Sequence, residues 1–481
     1  MAETLAPPSA AERKKAQDEA FRLTELVVNS QERELRVNSI RIEGVDYTRR
    51  TIVEDLVKPI LESQNLGDII AESREACHRL SRLGVFKDVG VTLDTPTDPY
   101  GAAGELVDVV LTVKEGPRLY ARTGADFSNY DTTTNITARI SNAFGAGETI
   151  EGHASYAVQP NVALNESAAS FASESGSYFQ LLFSKPLVPK PVFQRPNRAD
   201  PDARVELAAY STNRNMSLFM SHEEEAKGAI ARYKTIDPLK GTHEFSYDVA
   251  WRHVHKVAQD ASWSIRQDAG HSLKSAIGHT YTRDHRDDPM LPTEGSFIKT
   301  REEIAGLGGD VRFVKGEAEG QWAHPLGGGF SLTASLRGGL LLPLFGQRTR
   351  INDRFTLGGP NTIRGFRQSG IGPMDKQDAV GGDAYWAGGL SLFTPLPYLI
   401  NKPLKGHVFV NGGSLAPVNT RDTLENNARN LIRSPSVSAG LGLAVRFSIL
   451  RLELNYCLPL TATTTDVAKP GFQFGIGITY M

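Results

Sequence analysis

Two groups of side chains have types and spacing that could support chemistry. His253 and His255 lie two residues apart, so on a strand both would face the same side and could bind a metal ion together. Both continue the apolar face of residues 245–251, which favours the interpretation that they lie at the end of that strand. The acidic segments HRDDP (285–289) and SHEEEAKG (221–228) are typical of solvated loops. We therefore expect no metal site and no cofactor.

A third candidate is Arg364, in the segment RFTLGGPNTIRGFRQSGIGP (354–373). Five glycines and two prolines exclude a helix or an inner strand there. Residues 345–382 form a long strand-free stretch that nevertheless holds apolar anchors: Phe355, Leu357, Ile363, Phe366 and Ile371. Such a loop could fold inward and present the donors of Arg364 to a wall of strands. It could equally be an ordinary surface loop, and the pattern alone leaves both interpretations open.

Motifs and composition exclude several classes of protein. The sequence has no GxSxG elbow, no HExxH and no glycine-rich phosphate loop, so we do not expect an enzyme. The 53 basic and 55 acidic side chains are scattered, which gives no indication of nucleic-acid binding. Cys77 and Cys457 show neither CxxC nor zinc-finger spacing.

Strand periodicity dominates the chain after Pro117. In FSLTASLRGGLLL (330–342) the apolar residues share one parity and the polar residues the other, and the split recurs in HEFSYDVAWRHVHK (243–256), RSPSVSAGLGLAVRF (433–447) and ILRLELNYCL (449–458). A soluble sandwich also alternates, but its polar face seldom carries so many glycines. About sixteen such stretches follow, which predicts a membrane all-β fold, a 16-stranded antiparallel transmembrane β-barrel.

A different pattern precedes the barrel. A strand at 35–44, helices at about 48–61 and 67–83, and strands at 85–93 and 105–114 predict one small α+β domain. Thr48 could cap the first helix, and Ile70, Cys77 and Leu80 have the spacing of a buried face on the second. We predict a flexible tail at 1–34, the small domain at 35–117, and the barrel at 118–481 with its long loop at about 345–382.

Several of these segments resemble the BamA-type outer-membrane insertase superfamily. TIRGF (362–366) in a long loop, followed by GGDAYWAGGLSLFTPLP (381–397), is similar to the family's V/I-R-G-F signature. LGVFKDV (83–89) and VDVVLTVKEGP (107–117) resemble a POTRA domain, the N-terminal module of the family. One POTRA domain without a secretory signal is most similar to the mitochondrial branch, which belongs to the sorting and assembly machinery.

The resemblance implies roles for individual residues. Ile363, Arg364, Gly365 and Phe366 would form the tip of a loop inside the barrel. In bacterial members acidic groups receive the arginine, and the aligned positions here are Ser391 and Asn411. Since neither is charged, neutral or backbone acceptors are favoured over an ion pair.

The resemblance also implies a lateral gate between the first and last strands, at about 119–128 and 471–481. The first strand would contribute Tyr120, Arg122, Gly124 and Asp126. The last would contribute Gly471, Gln473, Gly475, Gly477, Ile478 and Tyr480, and QFGIGITY (473–480) fits a mitochondrial β-signal.

The function implied is insertion of β-barrel precursors, recognised by their C-terminal β-signal, into the mitochondrial outer membrane. Expected partners are these precursors, accessory subunits of the sorting and assembly machinery, the lipid bilayer and the outer-membrane import translocase. The POTRA domain would lie in the intermembrane space. The alternative function is a passive pore or a polypeptide secretion channel, although a simple porin needs neither the IRGF loop nor a POTRA domain.

Overall fold

The computed structural model describes residues 31–95, 106–127, 132–158, 176–187, 202–237, 240–396, 404–419, 421–447 and 450–477. None of the helices in these ranges is long and apolar enough to cross a bilayer. The chain forms a small α+β region near its N-terminus and a sheet of sixteen strands after it. The predicted fold class is therefore confirmed.

The small region contains the predicted strands and helices. Its elements are β1 (Arg36–Glu43), α1 (Arg50–Val57), a 3-10 helix (Lys58–Glu62), α2 (Leu66–Arg82), β2 (Phe86–Asp94) and β3 (Leu106–Glu115). Strand β3 lies in the centre, parallel to β1 and antiparallel to β2. Helix residues such as Val53 and Ile69 pack with Val109 and Leu111 of β3 in one apolar core. Burial of these side chains is the main stabilising term for so small a unit.

Three details of this region differ from the sequence-based expectation. The buried face of α2 holds Ile69, Ser73, Ala76 and Leu80, whereas Ile70 and Cys77 are half-buried. Ile69, Ala76 and Leu80 belong to the apolar core that the helix shares with the sheet. Arg49, not Thr48, precedes α1, and the Thr48 hydroxyl donates to Glu115 Oε1 (2.6 Å) instead of capping the helix.

The end of the predicted tail is structured as well. The amides of Leu66 and Gly67, in the first turn of α2, donate to the carbonyl oxygens of Arg33 (3.1 Å) and Gln31 (3.0 Å). These bonds satisfy donors that a helix start leaves without an intrahelical partner. Residues 1–30 of the predicted tail lie outside the described residues.

A buried carboxylate in β3, Asp108, is expected to make the small region sensitive to acid. Asp108 accepts hydrogen bonds from Asn38 Nδ2 (2.9 Å), Ser39 Oγ (2.9 Å) and Arg41 Nη2 (3.2 Å), and these bonds lower the pKa of Asp108 below its ordinary value. Because the folded-state pKa is depressed, the stabilisation is complete at neutral pH and is lost as the pH falls through the folded-state value, below about 4.

We expect Asp108→Asn to reduce the protection of β1 and β3 at pH 7 and to flatten its decline in acid. Hydrogen-exchange mass spectrometry of the whole chain, corrected for the intrinsic exchange rate at each pH, measures both effects. Asp94→Asn is the matched control, because Asp94 is more than half exposed beside the same Arg41. Equal acid sensitivity in Asp108→Asn and the unmodified chain would contradict the assignment.

Sixteen of the eighteen strands described after β3 form one antiparallel sheet. In chain order the strands of this sheet are β4 (Leu119–Phe127), β5 (Thr132–Ser141), β6 (Thr149–Val158), β7 (Gly176–Leu187), β8 (Asp202–Asn215), β9 (Glu223–Asp237), β10 (Gly241–His255), β11 (Gly270–Asp284), β12 (Gly295–Ala305), β13 (Phe313–Gly327), β14 (Phe330–Pro343), β17 (Ala384–Pro395), β18 (Leu404–Ala416), β19 (Ser436–Phe447), β20 (Leu450–Thr461) and β21 (Gly471–Gly477). Between β14 and β17, the short strands β15 (Met374–Asp375) and β16 (Asp378–Ala379) pair with each other in a separate two-stranded sheet. Short helices α3 (Ser217–Met220), α4 (Trp263–Asp268) and α5 (Leu424–Arg433) lie between strands.

The strands expose apolar side chains on one face and bury polar ones on the other. In β20, Leu454, Tyr456 and Leu458 are 40–49% exposed, while Glu453 and Asn455 are 0–1% exposed. This period of two is what the sequence pattern predicts for strands whose outer face meets lipid. The order of the sheet runs from β21 to β4, so the last and first strands are its two terminal strands.

Candidate functional site: the loop inside the barrel

The connection from β14 to β17, residues 344–383, packs against the inner faces of the strands. Its five predicted anchors, Phe355, Leu357, Ile363, Phe366 and Ile371, are at most 6% exposed. They share one apolar cluster with wall residues that include Phe313, Leu341 and Leu415. The strand walls are polar as expected, but beneath the loop the barrel has an apolar core. Of the two interpretations left open, the structure therefore favours the inward loop.

The backbone at the loop tip requires glycine at a specific position. Gly365 has φ +84°, and a Cβ there would approach Ser438 Cβ to 3.1 Å and Cys457 Cβ to 3.5 Å. An L side chain would combine a strained left-handed conformation with a close contact to β19. Gly365 thus allows the tip to lie directly against the wall.

Arg364 forms a buried ion pair with Glu453 of β20. Its Nε donates to Glu453 Oε2 (3.0 Å) and its Nη2 to Glu453 Oε1 (3.2 Å), and the two side chains are 1% and 0% exposed. The guanidinium carbon also lies 4.8 Å from the centroid of the Phe409 ring. A two-point, charge-assisted contact fixes the guanidinium in both position and orientation.

Glu453 is shared within a larger polar cluster. Arg451 forms a second ion pair with it, and Asn455 Nδ2 donates to its Oε2 (2.7 Å). Asn455 Oδ1 is in turn 2.7 Å from His407 Nε2 of β18. One carboxylate therefore interacts with two buried guanidinium groups.

The two expected neutral acceptors, Asn411 and Ser391, lie in different surroundings. With its amide oriented to satisfy both neighbours, Asn411 accepts from the Arg364 amide N (3.1 Å) and Nη1 (3.2 Å) and donates to Ser438 Oγ (2.6 Å). That orientation is assigned from the hydrogen-bond network. In this orientation Ser438 accepts from Asn411, so its single hydroxyl proton is donated to the Arg364 carbonyl oxygen. Ser391 is buried in β17, opposite Phe409 of β18.

The expectation that an ion pair was disfavoured is wrong, because Glu453 supplies the carboxylate. In the sequence, Glu453 is one of the polar members of the alternating segment ILRLELNYCL. The parity of that segment, which places Glu453 on the inner face with Arg451 and Asn455, was the available signal. Parity places a residue on a face, but it does not say which loop residue will meet it.

The loop tip also binds the last strand. Gly365 N donates to Gln473 Oε1 (2.8 Å), and Gln473 Nε2 donates to the Phe366 carbonyl oxygen (3.2 Å). Gln473 belongs to β21, and its side chain is 7% exposed. Four consecutive strands, β18 to β21, thus each contribute one inward polar side chain to the tip: Asn411, Ser438, Glu453 and Gln473.

Backbone hydrogen bonds join the loop to the turn between β20 and β21. Arg367 N donates to the Val467 carbonyl oxygen (3.0 Å), and Lys469 N donates to that of Gly365 (2.8 Å). Val467 N donates to the Gly370 carbonyl oxygen (2.8 Å). The tip consequently holds the last hairpin by its turn as well as by its strands.

The base of the loop is attached elsewhere. Arg252 of β10 forms a bidentate ion pair with Asp353 (2.7 and 3.2 Å), and the two side chains are 7% and 4% exposed. Ser264 Oγ (2.8 Å) and Ser264 N (3.2 Å) donate to Asp375 Oδ2, and these hydrogen bonds lower the pKa of Asp375. The loop therefore connects β10 with the last strands from within.

The residues expected at the lateral gate are described only in part. Tyr120 is 49% exposed, Arg122 is exposed and Gly124 is half-buried. Gly471, at φ +108°, begins β21, and the described pairing of β21 with β20 extends to Gly477 opposite Arg451 and includes Gly475 opposite Glu453. The side chain of Asp126 and the residues Ile478 and Tyr480 lie outside the described part of the structure.

A sixteen-stranded barrel whose long internal loop presents an R-G-F tip to its last strands defines a class of membrane protein. Residues 142–480 match the Omp85 superfamily domain. The fold is similar to that of BamA from Haemophilus ducreyi lacking POTRA domains 1–3, with a TM-score of 0.73, 16% identity, and coverage of 92% of this chain and 85% of that one.

Curated relatives specify the branch. A SAM50-like protein of Schizosaccharomyces pombe is 32% identical, covering 98% of this chain and 96% of its own length. The Homo sapiens sorting and assembly machinery component 50 homolog is 31% identical, covering 92% of this chain and 90% of its own length. The chain belongs to the SAM50 branch of the Omp85 superfamily.

Proposed function

We propose that this protein inserts β-barrel precursors into the mitochondrial outer membrane through a lateral gate between β4 and β21. A separated seam presents unpaired backbone donors and acceptors, and an incoming strand can satisfy them by β-augmentation. In this way no backbone polar group faces lipid alone. The process is non-enzymatic, and it requires no cofactor.

One observation carries the proposal: the loop tip binds Gln473, a residue of the terminal strand β21. A gate needs one edge that keeps its place while the other moves. The contacts of Gly365 and Phe366 with β21, together with the Arg364–Glu453 ion pair on β20, support β21 as the fixed edge. The first strand, β4, would then be the edge that receives the precursor.

We further propose the division of the chain that the resemblance implies: a tail at 1–34, a POTRA domain at 35–117 in the intermembrane space, and a barrel at 118–481 with its loop at 345–382. The partners proposed are β-barrel precursors bearing a C-terminal β-signal, accessory subunits of the sorting and assembly machinery, the lipid bilayer and the import translocase. The names of the relatives, a SAM50-like protein and a sorting and assembly machinery component 50 homolog, support the part of this proposal that concerns that machinery.

Site-specific crosslinking of an arrested precursor tests the proposal. A photoreactive residue at position 120, 122 or 124 of β4 is expected to capture the precursor's C-terminal strand. The matched control is position 298, because Ile298 is 48% exposed on the outer face of β12, far along the sheet. Equal capture at position 298 would count against the gate. Capture confined to the inward position Arg337 would support the pore or secretion channel instead.

A further inference from the structure

The outer face of the sheet carries a cluster of potential metal ligands at the rim from which the long loop departs. His253 and His255 lie at the end of β10, and Glu225 lies near the start of β9, directly opposite His253. One ligand atom from each of these three side chains lies within 4.8 Å of the other two. All three side chains are half-buried. Two neighbouring strands of one hairpin thus supply three convergent ligands.

The neighbouring strand orients this cluster. His271 of β11 is the register partner of His253 on the other side, and the two rings stack with centroids 4.0 Å apart. Trp251 stacks in turn on His271, with centroids 5.1 Å apart. Stacked neighbours restrict the rotation of the His253 ring, which reduces the entropy that a bound metal would have to remove.

We propose that Glu225, His253 and His255 form a binding site for a divalent transition-metal ion, with Zn²⁺ as the best match. Two imidazoles and one carboxylate are a ligand set that zinc uses, and water can complete the tetrahedron. Zinc–ligand bonds of about 2.0–2.1 Å separate the ligands of a tetrahedron by about 3.4 Å. The three groups therefore need only a short convergence from their present separation, which rotation of the Glu225 and His255 side chains toward the stacked His253 ring can provide.

Lys227 is a built-in competitor for this site. Its Nζ lies 2.7 Å from Glu225 Oε1, on the same face of β9. A metal ion would displace the ammonium group from the carboxylate. This relation gives the proposal a signature that a purely structural role of the histidines would not produce, because removing the lysine charge should strengthen metal binding.

The opposite ends of the same strands provide a matched comparison. His243 Nδ1 lies 3.2 Å from His279 Nε2, and His279 Nδ1 lies 2.8 Å from Glu302 Oε2. Both ring nitrogens of His279 are thus engaged in hydrogen bonds within that group. His243 and His279 are half-buried on the same face, as the proposed ligands are, so their replacement controls for histidine content alone.

Zinc titration of the purified full chain in lipid nanodiscs, without a histidine tag and with a chromophoric competitor, tests the site. We expect one Zn²⁺ per chain. His253→Ala combined with His255→Ala should abolish binding, and Glu225→Gln should weaken it by at least about tenfold, since losing even an outer-shell partner costs that much. Lys227→Gln should tighten binding, and His243→Ala combined with His279→Ala should leave it unchanged.

Two results would overturn the proposal. One is the absence of bound zinc on the unmodified chain at about 100 µM, a concentration far above the dissociation constants of structural zinc sites. The other is undiminished zinc stoichiometry in the His253→Ala/His255→Ala variant. Unfolding midpoints measured without metal confirm that each variant is assembled. If the double variant fails to assemble, the opposite shifts expected for Glu225→Gln and Lys227→Gln decide the question, and equal affinities of those two variants would reject the site.

Discussion

Replacing Glu453 by glutamine is expected to lower the free energy of unfolding by about 3–5 kcal/mol, the cost of breaking a buried ion pair from one side. The substitution keeps the shape of the side chain. It takes away the carboxylate with which both Arg364 and Arg451 pair at almost complete burial. Two guanidinium groups would then face an uncharged amide, whose NH₂ group cannot accept their hydrogen bonds.

Arg364→Ala is expected to cost less, about 2–3 kcal/mol, because Arg451 and Asn455 remain on Glu453. Both variants should also assemble fewer β-barrel substrates, since each releases the loop tip from β20. Glu319→Gln is the matched control. Glu319 pairs with Arg337 on the inner wall at about one-quarter exposure, and its neutralisation should cost less than about 1 kcal/mol.

Denaturant unfolding in lipid bilayers and import of a radiolabelled precursor measure these effects. The expected order of destabilisation is Glu453→Gln, then Arg364→Ala, then Glu319→Gln. If Glu453→Gln is as stable as Glu319→Gln and assembles normal amounts of substrate, the ion pair does not brace the barrel.

Crosslinking β4 to β21 is expected to stop insertion. If a precursor strand enters between the terminal strands, a covalent bond across the seam removes the edge that it must pair with. The cysteine pairs combine Tyr120→Cys or Arg122→Cys with Phe472→Cys or Phe474→Cys, four positions that are all exposed. The native Cys77 and Cys457 are free cysteines and are first replaced by alanine.

A crosslink within the last hairpin is the control for this experiment. Tyr456 and Phe472 are register partners on β20 and β21, so Tyr456→Cys with Phe472→Cys joins strands that remain paired in either state of the gate. That variant should assemble substrate normally after oxidation, and the seam variants should recover when reduced. Unimpaired assembly with the seam fully crosslinked would reject lateral insertion.

The sequence by itself determined the class of fold, because strand periodicity is a local property. Alternation with a period of two assigns each residue to a face whatever strand lies beside it. The long loop was visible for the same reason: glycines and prolines interrupt strand pairing locally, and five apolar anchors indicated that the segment packs against something. All five anchors are buried in the structure.

Local pattern was less reliable for the buried face of α2. The turn-to-turn spacing of α2 allows either Ile70 and Cys77 or Ile69 and Ala76 to face the sheet. Large side chains suggested the first face, but the structure buries the second. The choice depends on how the helix is rotated against the strands in the assembled core, which the helical period alone does not specify.

The partners of the functional groups were decided only by tertiary structure. Arg364 and Glu453 are 89 residues apart in the chain. Glu225 meets His253 only through the register of β9 with β10. Each meeting requires a strand order, a register and, for the loop, an inward path. Parity could place Glu453 and Gln473 on the inner face, but only the folded sheet brings β18 to β21 around one loop tip, because non-local contacts depend on the whole arrangement of strands.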